Sequence, residues 1–149
     1  MIPMQFPERL LPDDLLARAT LRGNEYAWPL EDIPKLIEAA KERDLVNSGG
    51  QLQFRFPDGG TCECYWVLVD THLTVSSDLP WAERVTRTAE TALRDFRELQ
   101  TRCDFIKEGR TAFAAEFEKW EAKGGDPARA MCFVWYVTTL DHEAKLASA

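Results

Sequence analysis

The sequence predicts an α+β domain in which helices cover one face of a small antiparallel sheet, and three observations lead there. Residues 51–56 and 62–69 alternate in character around the turn sequence PDGG, as two strands of a hairpin do. Residues 30–43 and 80–102 repeat apolar side chains at helical spacing. The order of these segments, helix then hairpin then helices, suits helices layered on an antiparallel sheet rather than a parallel βαβ array. With 149 residues, 45% of them hydrophobic, and five Trp and eight Phe, the chain has the material for one core and is read as a single domain over 1–149.

Taken in order, residues 1–24 are broken by prolines and form an irregular or helical segment. A short helix is expected over 12–20, followed by an extended stretch at Asn24-Glu25-Tyr26-Ala27-Trp28. Leu30, Ile33, Ile37 and Ala40 line one face of the first strong helix, with Glu31 and Asp32 at its positive end and Lys41 and Arg43 at its negative end. Pro34 must then sit in the first turn, where a missing N–H costs little. Asn47, Ser48, Gly49 and Gly50 stop this helix.

The hairpin register is argued from facial consistency. A three-residue loop Asp58-Gly59-Gly60, with Gly60 left-handed, pairs Phe56 with Cys62, Phe54 with Cys64 and Leu52 with Trp66, which puts the apolar residues on one face. Arg55 then opposes Glu63, and Gln53 opposes Tyr65, on the other. The second long helix presents Trp81, Val85, Ala89, Ala92, Leu93, Phe96 and Leu99 on one stripe. A third helix over 104–123 carries Phe113, Phe117 and Trp120, with Gly109 weakening its first turn and Gly124-Gly125 ending it; Trp120 is the tryptophan least suited to the core. Residues 131–139, apolar on both faces, read as a central strand, although Asp126-Pro127 would equally cap a buried helix. Residues 140–149 are expected to be a frayed tail or one helical turn.

Formal net charge is −7, spread evenly along the chain, which argues against nucleic-acid and anionic-membrane binding and favours a basic partner. No apolar run approaches the ~20 residues that span a bilayer, and the N-terminal charges and prolines do not fit a signal peptide, so a cytoplasmic location is expected. In that compartment the four cysteines are read as reduced thiols. Cys62 and Cys64 are expected to point into the core as small apolar groups, because Cys-x-Cys lacks the second half of a zinc motif and His72 and His142 stand at no ligand spacing. Gly49-Gly50 opens a strand rather than the helix a phosphate cradle needs, and Glu63 and Asp70 fall on opposite strand faces. No catalytic, cofactor-binding or metal-binding residue is assigned. The polar face of the hairpin, Gln51, Gln53, Arg55, Glu63 and Tyr65, is the candidate partner-binding surface.

The segments AWPLEDIPKLIEAA, DLVNSGGQL, CECYW and LPWAERVTRTAETALRDF, in that order between residues 26 and 99, resemble small bacterial immunity proteins of polymorphic toxin systems. The resemblance implies a stoichiometric inhibitor that binds a cognate toxin and occludes its active site, with no catalytic residues to carry over. An acidic chain suits a basic toxin. Two other readings stand beside it, a homo-oligomeric scaffold and a small cytoplasmic enzyme, and the chain itself is expected to be a monomer or homodimer.

Overall fold

A computed structural model describes residues 6–148; the first five residues of the segment 1–24, expected to be irregular or helical, and Ala149 lie outside the described residues. Five strands, β1 (Thr20–Arg22), β2 (Glu25–Trp28), β3 (Val46–Arg55), β4 (Thr61–Asp70) and β5 (Met131–Thr138), form one sheet in the order β1-β2-β5-β3-β4, antiparallel throughout. Helices α2 (Ile33–Glu42) and α3 (Trp81–Arg102) pack on one face, and α4 (Phe105–Ala112) and α5 (Ala114–Ala122) extend that cover toward the hairpin. The short helices α1 (Asp13–Leu16) and α6 (Pro127–Ala130) lead into β1 and β5, and α7 (Leu140–Ala147) follows β5. The fold is therefore α+β, as expected. The region 131–139 resolves both alternatives: Asp126 caps α6 by accepting the Ala128 N–H, with Pro127 at its start, and the chain then turns directly into the central strand.

The core lies between the sheet and α2 and α3. Trp28, Leu52, Phe54, Phe133 and Trp135 from the sheet meet Ile33, Leu36 and Ile37 from α2 and Phe96 from α3, all fully enclosed. The α2 stripe follows the expected spacing, and Pro34 sits in its first turn. Asn47 to Gly50 do not separate helix from strand. Asp44, with φ +61°, makes that break, and all four lie within β3. Asn47 has no exposed surface: its amide donates to the carbonyl of Ile37 (3.2 Å), its Oδ1 accepts from the Trp135 indole (3.0 Å), and its backbone N–H donates to Thr88 (3.1 Å). Gly49 (φ +123°) and Gly50 allow the flanking strands to close, since a Cβ on either would overlap the carbonyl oxygen of Val69 or Val134.

The hairpin differs from the expected register in two instructive ways. The three-residue loop is Pro57-Asp58-Gly59, one residue earlier than expected, with Gly59 left-handed (φ +101°) and Phe56 donating to the Gly60 carbonyl at 2.8 Å. Proline fixes φ at the first loop position and glycine supplies the positive φ at the last, so the chain turns there. Pairs become Phe54 with Cys62, Leu52 with Cys64, Gln53 with Glu63 and Arg55 with Thr61. The shift is two residues, so facial parity is kept, and Cys62 and Cys64 are buried in the core as expected. Beyond Cys64, however, β4 bulges: Leu52 pairs with Cys64 but Gln51 pairs with Leu68. Parity flips there, so Val67 and Val69 face the core while Trp66 and Leu68, expected inside, are each 42% exposed.

Two further corrections concern helices. The expected helix 104–123 breaks at Phe113 (ψ 48°) into α4 and α5, and Gly109 lies within α4 because its bare Cα accepts the rings of Phe54 and Phe117. Trp120 is half-buried, tilted on Phe56 at 5.7 Å and laid over Gly125. The C-terminal residues, expected to be a frayed tail or one helical turn, form about two turns of helix. Thr139 caps α7, and Glu143 holds both guanidinium nitrogens of the buried Arg84 at 2.8 and 2.7 Å.

Candidate functional site

The sheet face opposite the helices carries Gln51, Gln53 and Arg55 from β3, Glu63 from β4, Glu25 from β2 and Tyr136 from β5. In a flat sheet β1 would stand three strand spacings from β3, on the order of 14 Å. Instead Arg55 donates to the Thr20 carbonyl (2.7 Å), its hydroxyl (2.9 Å) and the Glu25 carbonyl (3.0 Å). Arg22 reaches the carbonyls of Phe56 (2.7 Å) and Gly60 (2.9 Å) from the other side. The sheet is thus strongly coiled, with β1 and β2 folded across this face.

That coiling corrects the expected contact surface. Gln53 and Arg55 are buried, and their polar atoms are used internally: Arg55 also donates to Gln53 Oε1 (2.9 Å), while the Gln53 amide lies between Glu25 (3.4 Å) and Glu63 (3.3 Å). Burial pushes the Arg55 guanidinium below its usual range. It also raises the Tyr136 phenol, whose O–H is held by the Glu25 carboxylate and whose ionised form that carboxylate opposes. These groups tie the coiled sheet together. Gln51 is half-buried, and Glu63 and Tyr65 are exposed, Tyr65 at 71%.

Tyr65 was expected outside, but Trp66 and Leu68, which the bulge brings to the surface beside it, were not. Tyr65 and Trp66 stand edge to face at 5.3 Å, and with Leu68 they form an apolar patch on β4, the outermost strand on that side. The indole of Trp66 leans toward Glu108 of α4 (3.4 Å). The run from Tyr65 to Val69 is apolar at both parities, so nothing in it says which residues turn outward.

A groove on the same face was also missed. One hollow, about 330 Å³, lies between the N-terminal turn, β5 and α7 and is lined by Glu8, His72, Tyr136, His142 and Glu143 among others. A second, about 290 Å³, is lined by Gln51, Tyr65, Leu68 and Asp70. They share Ser48, His72 and Tyr136, so the groove runs from α7 to the aromatic patch. Glu8 is buried, accepts the Val137 N–H (2.9 Å), and is raised above its ordinary pKa by desolvation. Arg84, by contrast, holds Glu143 below the usual carboxylate range. Both histidines meet here although they are 70 residues apart, a juxtaposition only the sheet order creates.

Three of the four thiols are buried. Burial pushes Cys62 up to about 11, Cys64 to about 12 and Cys132 to about 11, and no group of three or more His, Cys, Asp or Glu among the described residues is arranged to hold a metal. No described helix is long and apolar enough to cross a membrane. Compared with known proteins, the chain matches no family model, no curated protein and no solved structure.

Proposed function

We propose that the protein is a stoichiometric inhibitor of the immunity-protein type, which binds a cognate, basic toxin domain through the Tyr65, Trp66 and Leu68 patch and covers the toxin's active site. The observation that carries this reading is the bulge in β4, which turns Trp66 and Leu68 outward beside the exposed Tyr65 on an edge strand. Aromatic side chains fixed by the backbone make strong contacts, because little conformational freedom is lost on binding. Exposed Glu63 beside the patch and the net charge of −7 favour a basic partner and a fast, salt-sensitive encounter. The bulge also twists the edge away from simple strand addition, so side chains rather than ladder hydrogen bonds make the contact.

The test is capture of the tagged protein with its partner from the producing cells at low and high salt, followed by re-formation of the pair from purified chains. A single basic partner, inhibited completely at one equivalent and released by salt, is the expected outcome. Recovery of the chain alone, or as a dimer of itself, would transfer support to a self-assembling scaffold.

A further inference from the structure

We infer that the groove beside the patch is a subsite for one basic side chain, lysine or arginine, of the bound partner. This rests on the protein-binding reading and specifies what the partner must present.

The Glu8 carboxylate is the most buried charged group lining the groove, 6% exposed, and among the described residues no cation pairs with it. One of its oxygens accepts the Val137 N–H, and the residue's own backbone N–H also faces the carboxylate; a buried carboxylate with only neutral partners still lacks a countercharge. Around it, Phe6, Pro7, Val137 and Leu146 form apolar walls. Apolar walls above a carboxylate match the methylene stem and charged head of lysine or arginine.

The remaining charges favour the same occupant. Glu143 faces the groove, but its charge is balanced by the bidentate Arg84, so that arginine is not free for an anion. Asp70 lies farther along, and Glu25 sits behind Tyr136, bound by its phenolic O–H. His72 and His142 line the hollow on the side of Glu143, whose carboxylate they face together with Arg84. A metal ion would need a three-ligand cluster, which the described residues do not form. The continuity of the two hollows selects a partner side chain: a segment lying on Tyr65 and Leu68 has an open path, past Ser48 and Tyr136, to Glu8.

The probes are N-acetylargininamide and N-acetyllysinamide, titrated into the isotope-labelled protein and followed by NMR, with the uncharged N-acetylglutaminamide as control. The charged amides should shift the Val137, Tyr136 and His142 signals saturably, and the neutral one should not. Glu8→Gln, which keeps an acceptor for the Val137 N–H, should weaken this binding at least tenfold. Equal binding of charged and neutral amides, or no saturable shift at those signals, overturns the subsite without recourse to any variant. With the partner in hand, Glu8→Gln should loosen the complex while leaving it 1:1. A partner bound equally well by native protein and variant would remove the subsite and leave the inhibitor reading intact. Saturable argininamide binding with no protein partner recovered would do the reverse.

Discussion

Both ends of the Asn47 amide are used inside the core, toward Ile37 of α2 and Trp135 of β5. Asn47→Ala leaves a buried carbonyl and a buried indole N–H unpaired, so urea unfolding should show a loss of about 2–4 kcal/mol. Asn47→Asp should also be poorly tolerated, since it adds charge without restoring the donor to Ile37. Glu8 and Glu143 give opposite pH signatures. Burial raises Glu8 in the folded state, so the folded protein holds that proton to higher pH than the unfolded chain does. Stability from this group is complete below the ordinary carboxyl range and is lost as pH rises through the raised value. Glu8→Gln should therefore melt higher than the native protein at neutral pH, with the gap closing in acid; equal melting at neutral pH would mean the charge is already compensated. Glu143 is lowered by Arg84, so its contribution is present above the ordinary carboxyl range and lost as pH falls through the lowered value. The thiols make a simpler forecast: with Cys62, Cys64 and Cys132 buried, brief alkylation at neutral pH should modify only the partly exposed Cys103, and mass analysis should find the other three labelled only after denaturation.

At the scale of elements, Gly109 sets helix propensity against packing. Alanine there would gain about 1 kcal/mol of intrinsic helix preference, but its Cβ would overlap the rings of Phe54 and Phe117. Overpacking of this kind costs about 1–3 kcal/mol, so Gly109→Ala should be destabilising in thermal melts despite the propensity gain. The same glycine explains why the third helix was legible only in outline: its weakness as a helix former is visible in the sequence, but one of the two rings that require it, Phe54, comes from a strand far away in the chain. The hairpin was legible for a different reason. Alternation fixes which residues share a face, and it survived a two-residue error in register; facial consistency alone does not locate the loop, whose position turns on Pro57 at its first residue. Periodicity carries no sign of inserted residues, here three, 65–67, so the β4 bulge, and with it the outward turn of Trp66 and Leu68, was hidden. Gln53 and Arg55 were placed on the right face, but alternation cannot say that another part of the same sheet will fold over it.

For the molecule as a whole, the acidic balance and the aromatic edge make separable forecasts. Tyr65→Ala should weaken partner binding by about 2 kcal/mol, roughly thirtyfold, with no change in melting temperature, because that side chain is mostly exposed. Raising salt should slow association more than it speeds dissociation. Calorimetry and stopped-flow mixing of the re-formed pair would show both, and a Tyr65→Ala complex of native affinity would place the interface elsewhere.

The order β1-β2-β5-β3-β4 places the last strand in the middle of the sheet. On the ribosome, the β1–β2 and β3–β4 hairpins therefore emerge as two separate pieces, each with one strand edge waiting for a strand that has not yet been made. Neither can be joined to the other until Thr138 has cleared the exit tunnel, because β5 supplies the ladder on both sides. Assembly is consequently a late, single closing event with long-range pairing, slow by the usual relation between topology and rate. Until then the nascent chain displays two open edges, and it is in that interval that a chaperone would find most to hold.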